Sequence, residues 1–123
     1  GNAGPIGPEA DVTLAGNTAA AGSHYKGSGA CSSSTLTKDV VYSVKPTADG
    51  MLTVTLDPSY DGQLYARMGT CTTGMQIACA EAAGIGGLEV ITFPVLADGT
   101  KYSVFVDGKS GSAGSYSVNF HLQ

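Results

Sequence analysis

The sequence predicts an all-β fold, an antiparallel β-sandwich or jelly roll of about seven or eight strands. Apolar and polar residues alternate over most of the chain, most clearly at 102–106 and 115–122, and alternation is typical of a strand with one buried and one solvated face. Asp-Gly dipeptides, which favour tight turns, separate the alternating segments. No segment longer than one turn has helical periodicity.

The elements follow in order along the chain. Residues 1–10 contain two prolines and three glycines, so no regular element is expected to begin there, and they are predicted to be a flexible arm. Residues 11–123 are interpreted as one domain. A short strand is expected from Asp11 to Leu14, and residues 16–38, which are small and polar, are predicted to be irregular or edge structure. Further strands are predicted at 39–45, 51–56, 63–68, 75–79, 88–93, 101–106 and 115–122.

Four Asp-Gly dipeptides are predicted to turn the chain between strands. Asp49-Gly50 is expected to close a hairpin between strands 39–45 and 51–56. The alternation places three tyrosines, Tyr42, Tyr102 and Tyr116, at core positions.

The composition is typical of an exported β-protein. Charged residues make up 13% of the 123 residues, against roughly 25% in an ordinary soluble domain, and the net charge is −4. The six basic residues are scattered, which argues against nucleic acid as a partner. No apolar run approaches the ~20 residues of a membrane span.

Of the three cysteines, the pair Cys71 and Cys79 indicates an oxidising, extracytoplasmic compartment. Cys71 and Cys79 bracket a seven-residue segment, and a disulfide between them is predicted to contribute about 2–3 kcal/mol. Cys31 has three interpretations: a buried free thiol, an intermolecular bridge, or pairing with Cys71 or Cys79. No CxxC or Cys/His cluster favours a metal site.

Carboxylates and tyrosines are the candidate binding residues. If Asp39, Asp57, Asp61 and Asp107 converge at one end of the sandwich, their oxygens suit calcium; the alternative is turn chemistry, since Asp before Gly bonds its own backbone. Tyr25, Tyr60 and Tyr65 are predicted to be surface residues that bind a sugar or peptide.

The sequence predicts no enzyme. Its two histidines, His24 and His121, lie in contexts that favour solvated surface positions. No serine stands in G-x-S-x-G, no H-E-x-x-H is present and no P-loop occurs. The segment 84–87 is glycine-rich but precedes a predicted strand, so it is interpreted as a loop.

Six segments in order carry a resemblance to a known family. The chain resembles the bacterial pre-peptidase C-terminal domain at Asp39–Val44, Ser59–Arg67, the Cys71 to Cys79 loop, Leu96–Tyr102, Val106–Gly108 and Gly114–Val118. The resemblance implies a non-catalytic jelly-roll sandwich of exported bacterial proteins, often appended to secreted peptidases.

The resemblance also implies a second pair of calcium ligands, and the chain departs from the family pattern at two places. Related collagen-binding modules bind calcium and fibrous proteins, which by analogy makes Glu9 and Asp11 candidate ligands. Many relatives have an Asn-Asp-Asp-like run where this chain has residues 80–83. This difference argues against calcium binding by residues 80–83. Many also have a cysteine near Asp57, and its absence leaves Cys31 without that expected mate.

Two functions from different classes follow. The first is a non-catalytic, extracellular or cell-surface sandwich that acts in assembly or adhesion, favouring self-association into a fibre or surface layer and possible stabilisation by calcium. The arm at 1–10 suits it, because an extended segment adds a strand to an open sheet edge. The alternative is a substrate- or polymer-binding module of a secreted hydrolase.

Overall fold

The computed structural model of the chain is a sandwich of two β-sheets. It describes residues 2–7, 10–20, 39–69, 75–81, 84–108 and 112–123. These residues form a 3-10 turn at Thr18–Ala20 and nine strands: β1 (Asn2–Ile6), β2 (Asp11–Asn17), β3 (Val40–Pro46), β4 (Gly50–Pro58), β5 (Gly62–Met68), β6 (Met75–Ala80), β7 (Glu89–Val95), β8 (Tyr102–Gly108) and β9 (Ser115–Leu122).

The strands divide into a five-stranded and a four-stranded sheet. Sheet A has the order β1-β3-β8-β5-β6, and sheet B has the order β2-β9-β4-β7. All pairings are antiparallel except that of β1 with β3. The predicted all-β sandwich is therefore confirmed, with one strand more than the upper estimate.

Alternation along the strands builds the core between the sheets. On β4, Leu52, Val54 and Leu56 are fully buried while Met51 is exposed. Burial of each such side chain contributes roughly 1.5–3 kcal/mol. The tyrosines predicted for the core are confirmed there: Tyr42, Tyr102 and Tyr116 are all buried.

The expectation that no regular element begins within residues 1–10 is wrong. Asn2–Ile6 forms β1, which pairs in parallel with β3 at the edge of sheet A. The pairing is irregular, with a register shift between Asn2 and Pro5. Ile6 is fully buried in the main core, and the burial of this one apolar side chain offsets the weak backbone propensity of a segment rich in glycine and proline.

The predicted hairpin at Asp49-Gly50 is also wrong, because β3 lies in sheet A and β4 in sheet B. Among the described strands, β5 and β6 are the only two that follow one another in the chain and pair with each other. The aspartates still fold the connections: Asp49 Oδ1 accepts a hydrogen bond from Ala97 N at 2.7 Å, and Asp98 Oδ1 accepts one from Thr100 N at 3.1 Å. Asp-Gly therefore marks corners between sheets in this fold.

A close approach of β2 to β9 requires glycine at position 16. A Cβ atom at Gly16 would lie no further than 3.0 Å from three atoms of Tyr116. The Tyr116 hydroxyl lies 2.7 Å from the Tyr42 hydroxyl inside the core, and this buried contact opposes a shift of the ring.

Replacing Gly16 tests this contact. We expect Gly16→Ala to lower the free energy of unfolding by about 1–3 kcal/mol, because an added methyl group overpacks the site. Gly84→Ala is the matched control, since nothing lies within 4 Å of a Cβ there. Thermal unfolding followed by circular dichroism measures both variants, and equal midpoints for the two would contradict the contact.

Candidate functional site

Four acids predicted as calcium ligands lie at the same end of the sandwich. Asp39 precedes β3, Asp107 is near the end of β8, and Asp57 and Asp61 flank the β4–β5 connection. Across the described ranges, no group of three or more His, Cys, Asp or Glu side chains is placed to hold a metal ion. Calcium binding stays a prediction, and Glu9 lies outside the described residues.

Asp107 has a structural role in the outer face of sheet A. Its Oδ2 accepts a hydrogen bond from the Tyr65 hydroxyl at 3.0 Å, and its Oδ1 accepts one from Gly108 N at 2.8 Å. The carboxylate is 1% exposed. Burial and this neighbouring carboxylate raise the pKa of Tyr65 far above its usual value. The arrangement links β5 to β8 through a buried polar contact.

The prediction that Tyr60 and Tyr65 are surface residues is wrong, because they are 5% and 0% exposed. Tyr65 points away from the main core, yet it stacks on Phe105 with ring centroids 4.7 Å apart. The Arg67 guanidinium lies 4.8 Å from the Phe105 centroid and extends the stack by a cation–π contact. Tyr25 lies outside the described residues.

The Tyr60 ring belongs to the main core at the end of the sandwich that holds Asp107. Burial raises the pKa of Tyr60 to about 12, outweighing the opposite effect of the neighbouring Thr18 hydroxyl. The Tyr60 hydroxyl has no hydrogen-bond partner of good geometry. It is therefore a buried group that favours the neutral form.

Cys79 on β6 is disulfide-bonded. The other two cysteines, Cys31 and Cys71, lie outside the described residues. The pairing of Cys71 with Cys79 and the three interpretations of Cys31 therefore stay predictions.

The most distinctive surface is the outer face of sheet B, turned away from the core. Exposure and burial alternate without a break from Leu88 to Leu96 along β7. The exposed positions form what we call the β7 row: Leu88, Val90, Thr92, Pro94 and Leu96. Leu88, Val90 and Leu96 are 56%, 51% and 48% exposed, so this edge of the sheet presents an apolar stripe to solvent.

Hydroxyl and amide groups cover the rest of this face. The Thr53 and Thr92 hydroxyls, on adjacent strands, lie 3.1 Å apart in a hydrogen bond. The Asn119 side-chain nitrogen donates to Thr13 Oγ1 at 2.9 Å and also to Asp11 Oδ1. Next to the β7 row, Met51 is 44% exposed and pairs with Pro94. Sequence reasoning predicted strands at these positions but did not recognise the surface, because that requires the register between strands.

The strand register also brings an acid, a histidine and a hydroxyl into one row. Asp11 pairs with His121, and His121 pairs with Thr53. Both flanking groups are engaged elsewhere, Asp11 with Asn119 and Thr53 with Thr92. The row lies on an exposed sheet face, whereas a nucleophile, its base and an oxyanion site must converge on one reacting atom.

Charge is distributed unevenly between the two sheets. Within the part of the chain that the structure describes, the cationic side chains are Lys45, Arg67 and Lys101, on or beside sheet A. The outer face of sheet B carries Asp11 and Asp57 near its margins. An open depression of about 350 Å³ adjoins Asp57; it is lined by Asp57, Pro58, Ser59, Ser115 and Tyr116.

The described residues include no helix with the length and hydropathy of a membrane span.

The architecture is a two-sheet β-sandwich of the pre-peptidase C-terminal type. The chain is similar in structure to the pre-peptidase C-terminal domain of collagenase from Bacillus anthracis, with 15% sequence identity, a TM-score of 0.56, and coverage of 93% of this chain and 90% of that one. The fold implied by the sequence resemblance is thereby confirmed.

A second solved structure is also similar in fold. The chain resembles Aeromonas hydrophila PliG, a periplasmic lysozyme inhibitor of g-type lysozyme, with 13% identity, a TM-score of 0.60, and coverage of 97% of this chain and 96% of that one. No family model matches the sequence, and no curated protein matches it. At these identities the likeness defines the fold.

The buried tyrosines predict a loss of stability in alkali. Because the pKa of Tyr60 is raised from 10 to about 12, the unfolded chain releases this proton before the folded chain does. The stabilisation is complete below about pH 10 and is lost as the pH rises towards 12. Tyr65 and Tyr116, whose pKa values are also raised, act in the same direction.

Thermal midpoints between pH 8 and pH 12, with tyrosinate absorbance at each pH, measure this effect. The matched variant is Tyr60→Phe, which removes a hydroxyl that has no hydrogen-bond partner of good geometry. We expect it to lose less stability than the wild type over the same range. Full ionisation of all tyrosines near pH 10 with an unchanged midpoint would contradict the prediction.

Proposed function

We propose that this chain is a non-catalytic, extracytoplasmic β-sandwich that acts in surface assembly by binding further copies of itself. The observation that carries the proposal is the β7 row, an exposed apolar stripe along one edge of sheet B. A stripe of adjacent apolar side chains favours a macromolecular contact, whereas single exposed apolar residues need no explanation.

The pattern of the β7 row favours a second copy as its partner. Around Thr92 the row is nearly symmetric, with Val90 and Pro94 on either side and a leucine at each end. In a two-fold symmetric contact the same patch serves both subunits. An antiparallel approach about Thr92 therefore places Leu88 of one copy against Leu96 of the other, and Val90 against Pro94.

The charge of the chain supports close approach between copies. Charged residues are 13% of the sequence and the net charge is −4, so repulsion between copies is small and is screened beyond about 8–10 Å at physiological salt. Sheet B measures roughly 19 by 24 Å from its strand spacing and rise. That face is smaller than the ~800 Å² per partner of a standard stable interface, so a single contact of this kind is weak.

An extracytoplasmic location is supported by three features. Cys79 is disulfide-bonded, and disulfides persist in oxidising compartments. Sparse charge and abundant glycine are typical of exported β-proteins. The two similar structures are a domain of a collagenase and a periplasmic inhibitor.

The alternative function is a module that binds a polymer or another protein. The depression lined by Asp57, Ser59, Ser115 and Tyr116 favours it, because hydroxyls, a carboxylate and an aromatic edge together suit a sugar or peptide. One structurally similar protein is an inhibitor of an enzyme. A binding screen on collagen, chitin and cellulose, read against the Asp57→Ala variant, distinguishes this alternative, because the Asp57 side chain is exposed and lines the depression.

The β7 row is tested by placing a charge in its centre. We expect Val90→Lys to weaken self-association by about tenfold or more, because burying an unpaired ammonium between copies is costly. Met75→Lys is the matched control, since Met75 is 67% exposed on sheet A. Light scattering against concentration and negative-stain imaging, with and without calcium and reductant, report the assembly. Monomers under every condition would rule out the proposal.

A further inference from the structure

We propose that the outer edge of β2, which pairs only with β9 among the described strands, is a second self-association site. On this proposal, β2 pairs antiparallel with β2 of another copy, so that two four-stranded sheets join into one continuous sheet. The inference rests on the proposed function, since it specifies a contact by which copies assemble, and it involves the opposite edge of sheet B from the β7 row.

The hydrogen bonds show which backbone groups of β2 face the open edge. Leu122 N donates to Ala10 O at 3.1 Å, and Thr18 N donates to Gly114 O at 2.9 Å. In an antiparallel ladder, alternate residues bond to the same neighbour, so the even-numbered residues of β2 face β9. The odd-numbered residues therefore direct their N–H and C=O groups outward: Asp11, Thr13, Ala15 and Asn17. All four are exposed.

The edge strand at the other side of sheet B is blocked. Met51 exchanges backbone hydrogen bonds with Gln123, so Met51 faces β9 and its partner on β7, Pro94, faces the open edge. Proline has no N–H to donate, and proline at this position is a common protection of an edge strand. The β7 edge is therefore suited to contact through side chains rather than strand addition.

The edges of sheet A are also less suitable than β2. β1 contains Pro5 and pairs with a register shift. β6 pairs with a register shift between Ala66 and Arg67 of β5, and its Cys79 is disulfide-bonded. β2 pairs with β9 over seven consecutive residues without a shift and contains no proline, lysine or arginine. A regular edge without these protections is a template for another strand.

The sequence of β2 is self-complementary in one register. With the two-fold axis at Leu14, all seven residues find partners: Leu14 faces its own copy, and Thr13 faces Ala15. Asp11, the one charged residue of β2, then faces Asn17 of the second copy. The two Asp11 carboxylates are separated by roughly 20 Å along the ladder, which exceeds the screening length at physiological salt.

The side chains of this end pair have free hydrogen-bonding groups. Asn17 Oδ1 accepts a hydrogen bond from Ala19 N at 2.8 Å, which leaves the Asn17 amide nitrogen to donate. Asp11 Oδ1 accepts from Asn119, which leaves Oδ2 to accept. Residues directly opposite each other in a ladder lie about 5.5 Å apart at Cα, so Asn17 can donate to Asp11 of the second copy.

Two symmetric contacts at opposite edges of one sheet have a consequence for the form of the assembly. The β2 contact alone closes as a dimer. Together with a second symmetric contact at the β7 row, each copy binds two neighbours about different axes, and the chain of copies stays open when the two axes do not intersect. The pair of contacts on non-intersecting axes therefore predicts a filament, whereas either contact alone predicts a dimer.

The register is tested with an isosteric charge. Asn17→Asp keeps the oxygen that accepts from Ala19 N but places a carboxylate opposite Asp11 of the second copy. We expect the dissociation constant, measured by sedimentation equilibrium in the Val90→Lys background to isolate the β2 contact, to rise by about tenfold or more. Adding Asp11→Asn restores it. The control is Ser43→Asp, which adds the same charge to sheet A.

A second variant tests the backbone contact itself. Ala15→Pro removes an outward N–H without removing a hydrogen bond to β9, so we expect an unchanged fold and a lost dimer. If Asn17→Asp and Ala15→Pro leave the dissociation constant unchanged while Val90→Lys disrupts assembly of the wild type, this inference is overturned and the proposed function stands. A wild type that is monomeric at all concentrations overturns both.

Discussion

The packing of two inner sheet faces against each other is the constraint on which the rest of the structure depends. The strands have apolar inner faces, so each sheet is stable only when the other sheet covers its inner face. The chain meets this requirement by placing nearly every successive strand in the opposite sheet. Strands adjacent in a sheet are therefore distant in sequence, and the sheet edges are set by the crossover pattern. This crossover pattern determines which strands form the four sheet edges and which form the outer face of sheet B.

The sequence was sufficient to predict the individual strands but not their pairing. Alternation is local, so the strands from Val40 to Leu122 were predicted within a few residues of their observed bounds. Pairing depends on which apolar faces cover each other. The turn chemistry of Asp49-Gly50 does not report this, and the hairpin that it predicted is wrong. An aspartate that accepts backbone hydrogen bonds stabilises a corner between sheets as well as a hairpin turn. The resemblance to a known family compensated, since it implied the sandwich architecture directly.

The candidate site was predicted less well, for a related reason. Tyr65 alternates with buried residues, so alternation alone predicts that it faces solvent. Its stacking on Phe105, outside the main core, involves a neighbouring strand and cannot be predicted from alternation along β5. β1 was missed because its propensities are poor and a single residue, Ile6, holds it in the core. Conversely, the β7 row is extended by the exposed Met51 of β4, which the register between the two strands places beside Pro94. Tertiary contacts decided each of these cases.

The edges of the two sheets differ in how they are protected against pairing, and β2 is the edge that lacks such protection. Proline lies in β1 and β7, and irregular pairing affects β1 and β6, so three edges carry a recognised obstacle to strand addition. A sparsely charged chain has few lysines with which to protect an edge. β2 is seven residues long and has none of these obstacles, so it is the exception among the four edges. Stability of the monomer does not require β2 to be regular along its outer side. Complementarity with a second strand does require it, because one shifted or missing donor interrupts the ladder.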